Sequence, residues 1–164
     1  MNRLFLSLLL SVFLAGCAGK PSASMEDVRT IQKAANAGKA LGNAELKEVA
    51  QAQLRVGEYF YSVIEEKAKA RDHDFFFRAV PAGVFDSDPI LKEMALTAPI
   101  IMSKQVYEWK NAAADKYQPC EDALHHAGEY WFSIREGQQF SGFEQEGRQQ
   151  QYQKVVAACK TNVA

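Results

Sequence analysis

The chain has 164 residues, 19 basic and 20 acidic side chains and a formal net charge of −1. That balance, with no basic stripe and no interleaved aromatics, argues against nucleic acid as a partner. The length suits one domain with a real core, and three cysteines mean that one has a fate other than an internal bridge.

The N-terminal stretch MNRLFLSLLLSVFLAGCAGK carries a positive charge at Arg3, an apolar run from Leu4 to Leu14, then small residues before Cys17. A helical run of that length covers about 16 Å, roughly half a bilayer core, so it is too short to span. Its layout is that of a secretory signal. Leu14-Ala15-Gly16-Cys17 resembles the lipobox of bacterial lipoproteins at all four positions. The resemblance implies a diacylglyceryl group on the Cys17 sulfur, cleavage before that residue, and usually another acyl chain on the new amino group. Each buried CH₂ contributes about 0.8 kcal/mol, so one chain holds weakly and several hold durably. The next residue is Ala18. An aspartate there tends to retain such proteins at the inner membrane, so the resemblance implies the periplasmic face of the outer membrane. The competing reading is an incidental or buried cysteine in an ordinary signal peptide.

The expected organisation is a signal peptide over 1–16, a lipidated tether over 17–24 and a single helical domain over 25–164. Ala18 to Ser24 is small, polar and contains proline, as befits a tether. Fully extended it reaches about 25 Å, which keeps the domain and whatever it binds close to the lipid. No later apolar run is long enough to cross a membrane.

Everything after the tether predicts helix: Ala, Glu, Gln, Lys and Leu dominate, and strand-like alternation is absent. The expected fold is all-α, a bundle of about five helices. The first spans about Glu26 to Leu41, with Ser24 as N-cap, and Gly42-Asn43 stops it, with Asn43 capping the next. The second continues to about Lys69, with Leu46, Val49, Val56, Phe60 and Val63 at helical spacing. Arg71 to Asp88 is an irregular apolar connector. Asp88-Pro89 starts a third helix to about Tyr117, in which Pro99 forces a kink or break. The fourth follows Pro119 and ends near Gly137. The fifth starts at the capping-box sequence Ser141-Gly142-Phe143-Glu144 and ends near Lys160.

Cys120 opens the fourth helix and Cys159 closes the fifth, each about 24 Å from the intervening turn. A hairpin therefore brings the two sulfurs together, and an oxidising periplasm favours a disulfide between them. Two reduced, buried cysteines are the alternative. A faint echo links Val56-Gly57-Glu58-Tyr59-Phe60-Tyr61-Ser62-Val63 to Ala127-Gly128-Glu129-Tyr130-Trp131-Phe132-Ser133-Ile134. Gly57 and Gly128 flank the apolar faces, where a missing side chain lets another helix approach. Duplication and coincidence both account for the echo, and no 34-residue solenoid period is present.

Reactive-looking clusters are few. Asp72-His73-Asp74 places a histidine between two carboxylates, but a metal site needs three or four convergent ligands, and a solvated turn is the plainer reading. His125-His126 has Glu121, Asp122 and Glu129 within helical reach. The inward stripe Cys120, Leu124, Ala127, Trp131 turns both histidines toward the polar side. No serine elbow, phosphate loop or zinc-protease helix occurs, so no catalytic residue, metal or cofactor is expected. The aromatic group Phe75, Phe76, Phe77 and Phe85 reads either as a plug closing the bundle or as a docking patch.

These features favour a non-enzymatic protein-binding module, held by its lipid beside an unidentified membrane-proximal envelope protein. Its design is similar to secretion pilotins and to immunity or exclusion lipoproteins, an analogy of architecture alone. The alternatives are a periplasmic carrier of a small apolar ligand and a metal-dependent envelope enzyme using His73 or His125.

Overall fold

The computed structural model describes residues 20–37, 40–69, 88–90, 92–93, 114–135 and 142–164. Within these the chain is all-helical and has no strand. Among the described residues stand four helices, where about five were expected for the chain: α1 (Met25–Ala35), α2 (Asn43–Lys69), α3 (Ala114–Arg135) and α4 (Gly142–Val163). Most of the expected helix from Pro89 to Tyr117 lies outside the described residues. Its first turn is described: the Asp88 carboxylate accepts from the Ile90 N–H at 3.0 Å, and the Lys92 N–H donates to the Asp88 carbonyl at 2.9 Å. Its expected last turn belongs instead to α3, which begins at Ala114 and carries Pro119 inside it. Proline removes one backbone bond there, to the Asp115 carbonyl, so the helix continues through a residue that seemed to be its start.

Ser24 caps α1 reciprocally. Its hydroxyl accepts from the Asp27 N–H at 3.2 Å, while the Asp27 carboxylate accepts from the Ser24 N–H at 2.9 Å. The helix ends at Ala35, short of the expected Leu41, because Asn36 turns its backbone out of the helix and its side-chain amide donates to the Gln32 carbonyl at 2.9 Å. Gly42, rather than Asn43, precedes the first turn of α2. The Leu46 N–H donates to the Gly42 carbonyl, and the Glu45 carboxylate accepts from the Gly42 N–H at 2.8 Å.

The contacts fix the directions. Asp27 meets Arg55 and Lys20 meets Glu66, so α1 runs antiparallel to α2. Gly57 lies against Ala123 and Leu124, and Tyr61 against Tyr130, so α3 runs parallel to α2. In α4, Gln149 meets Glu65, Gln51 reaches the Val163 carbonyl and Asn162 the Lys116 carbonyl, so α4 is antiparallel to both. α2 is the central helix. It buries Leu46, Val49, Val56 and Phe60 against Val28 and Ile31 of α1 and the Cys120, Ala123, Ala127 face of α3.

Gly57 faces the backbone of α3. A β-carbon there would meet the Ala123 carbonyl carbon and oxygen and the Leu124 Cα at 3.4 Å each. The helices touch through backbone because the sequence supplies no side chain at that point.

Candidate functional site

The expected sulfur pairing is present: Cys120 and Cys159 are bonded, with Cα atoms 4.8 Å apart, and both are fully buried. Helices α3 and α4 form the αα-hairpin foreseen for them. The bridge lies toward the pole where Ala114 starts α3 and Ala164 ends the chain, while Lys20 and Lys69 lie toward the other pole. No cysteine thiol is left in the domain as a nucleophile, since Cys17 precedes it in sequence.

Several residues singled out from the sequence lie outside the described residues: Cys17, His73 with its flanking aspartates, and Phe75, Phe76, Phe77 and Phe85. The first described residue is Lys20, whose ammonium lies 3.0 Å from the Glu66 carboxylate, both well exposed. The firmer hold comes seven residues later. Asp27, which is buried, caps α1 and accepts from the Arg55 guanidinium at 2.6 and 3.0 Å. Burial pushes its carboxyl pKa up, but the hydrogen bonds from Arg55 and Ser24, with the Arg55 charge, outweigh burial and hold it below its ordinary 3.8.

His125 and His126 share one carboxylate. Glu129 lies 3.4 Å from His125 Nε2 and 3.4 Å from His126 Nδ1. His125 is exposed, as the inward stripe requires, and His126 is half-buried. Among the described residues no three His, Cys, Asp or Glu side chains converge to hold a metal ion. No helix of those residues is long and apolar enough to cross a membrane.

A tyrosine cluster was not foreseen. Tyr61 of α2 stacks on Tyr152 of α4 with centroids 4.0 Å apart and rings nearly parallel, and on Tyr130 of α3 at 5.5 Å. With His126, Arg148 and Gln149 these rings line a crevice of about 20 Å³, enough for a single water. Burial, then the Glu65 charge, pushes the Tyr61 hydroxyl upward; burial, then Glu58, does the same to Tyr152. Such phenols stay protonated and do not act as bases at neutral pH. Elsewhere on α2, Tyr59 donates to the Asp88 carboxylate at 2.5 Å, and burial with that carboxylate pushes its pKa up to about 12. These contacts join α2 to three other segments, so no single window of sequence carries their signal.

Comparison with protein-family models, with curated proteins and with solved structures finds no match for this chain.

Proposed function

We propose that this protein is a bacterial lipoprotein, acylated at Cys17 and held at the periplasmic face of the outer membrane. There it acts as a non-enzymatic module that binds a membrane-proximal envelope protein. The observation that carries the reading is the pinned start of α1. The Ser24–Asp27 capping box and the Asp27–Arg55 pair fix the domain's edge seven residues after Cys17. A fully extended tether of that length reaches about 25 Å, so an acylated Cys17 keeps the bundle against the membrane surface.

The proposed docking patch is Phe75, Phe76, Phe77 and Phe85, which follow α2 in sequence; α2 itself ends at Lys69, toward the pole that holds Lys20. Two measurements test the reading. Intact-mass analysis of protein extracted from envelopes is expected to show an N-terminus at residue 17 carrying acyl chains; a non-acylated N-terminus elsewhere ends the anchoring reading. Crosslinking of the anchored chain in its own envelope is expected to capture one membrane-proximal protein. Phe75→Asp and Phe77→Asp should lower that capture at least tenfold while leaving the helical circular dichroism unchanged. Undiminished capture by both variants removes the patch.

A further inference from the structure

A groove of about 330 Å³ runs between α1 and the start of α2. Its floor is Ala34, Leu41 and Val49, and its two banks carry opposite charge: Arg29 and Lys33 on α1, Glu45 and Glu48 on α2. All four charged residues are exposed. Among the described residues, the side chains of Arg29, Lys33 and Glu48 take part in no ion pair or hydrogen bond, whereas Glu45 is occupied in capping α2. Glu26 closes the end of the groove nearest the tether.

We propose that two copies of this chain pair through this groove, the basic bank of one facing the acidic bank of the other. The register within one chain follows from the Asp27–Arg55 contact. Counting along the two antiparallel helices at 1.5 Å per residue brings Lys33 level with Val49, beside Glu48, and Arg29 about 6 Å nearer the tether. A two-fold axis running along the helices sets α1 of one copy against α2 of the other at equal height, so Lys33 meets Glu48 twice. A two-fold axis across the helices sets α1 against α1 and α2 against α2, which opposes like charges. The charge pattern thus selects the first arrangement and rejects the second.

The selected arrangement keeps both tethers at the same pole, the geometry that two chains rising from one surface require. The floor is already largely covered, with Leu41 7% and Val49 4% exposed, so little apolar area remains to drive association. Rim ion pairs are individually weak and screened by salt. The pairing is therefore a low-affinity, salt-sensitive one. It rests on the charge pattern and is independent of the proposed envelope partner.

The test uses two differently tagged copies of the full-length chain produced together, with co-capture of one by the other. Wild-type copies are expected to co-capture at about 50 mM salt and at least tenfold less at about 500 mM. Arg29→Glu with Lys33→Glu should abolish self-capture, and so should Glu48→Lys. Mixing the first variant with the second should restore it, because each reversed bank then faces its opposite. Glu45 is left unchanged because it caps α2. Circular dichroism of each variant checks that the fold is retained, and the salt response of the wild type stands independently of any variant. A chain monomeric at every concentration, with the groove open to some other occupant, overturns the proposal. So does self-capture indifferent to the reversals, or a mixed pair that fails to recover.

Discussion

Asp27 does three things at once: it caps a helix, accepts two guanidinium bonds and sits buried between α1 and α2. Replacing it by alanine leaves two Ser24 donors and Arg55 without their acceptor. The expected loss is about 2 kcal/mol, read as a shift in the urea midpoint. The acid limb carries the same signature. A carboxyl whose folded pKa lies below its unfolded value stabilises fully above the unfolded value, near 3.8, and loses that contribution as pH falls through the lower folded value. Stability measured from pH 5 to pH 2 should decline, and Asp27→Asn should flatten part of that decline. The tyrosines act at the other extreme. Tyr59, Tyr61 and Tyr152 are all raised, so their contribution is complete below pH 10 and is lost as pH climbs toward 12. Tyr59→Phe and Tyr61→Phe should each reduce the alkaline loss, as followed by circular dichroism from pH 9 to pH 12. The spacing Ser24-x-x-Asp27 carries a capping box in the sequence itself, with Ser24 the expected cap and Asp27 its unexpected partner. The arginine, 28 residues further on, had no local signal.

Two glycines in helices separate close packing from mere permissiveness. Gly57 lies against the backbone of α3, where a first side-chain carbon just fits, in van der Waals contact at 3.4 Å, and the further carbons of a branched side chain have little room. Gly57→Val should cost about 3 kcal/mol by forcing α2 and α3 apart. Gly147 has nothing within 4 Å and is exposed, so Gly147→Ala should stabilise by about 1 kcal/mol through helix propensity alone. Thermal midpoints of the two variants should move in opposite directions. Helix existence was legible from composition and the 3.6-residue stripe, and the end of α2 at Lys69 matched the reading. The starts of α1 and α2 came within a residue of their expected places because caps announce themselves locally. The end of α1 was missed, since Asn36 reads as one more polar residue until its amide is seen closing on Gln32. Pro119 was read as a boundary because proline usually is one; the tertiary packing of Tyr117 and Cys120 into the core carries the helix through it.

At the scale of the whole molecule the disulfide is the strongest single constraint. Cys120 and Cys159 are 39 residues apart, and chain entropy gives the bridge about 4 kcal/mol. Replacing both cysteines by alanine should lower stability by about that amount, measured by denaturant unfolding, with the helical content kept under native conditions. The hairpin that the bridge clasps was legible because two equal helical arms set its geometry. The parallel course of α2 and α3 was not legible, because direction is decided by what connects them and by the backbone contact at Gly57.

That parallel course sets the order in which the chain assembles. α1 with α2, and α3 with α4, are neighbours separated by only a few residues of sequence, and each pair closes quickly. α2 and α3 lie side by side only after the chain between Lys69 and Ala114 has been gathered in, a longer loop with a larger entropy cost. Two hairpins therefore form early and dock late. A newly made chain spends its slowest interval with each helix pair closed and the Gly57 seam between the pairs still wet.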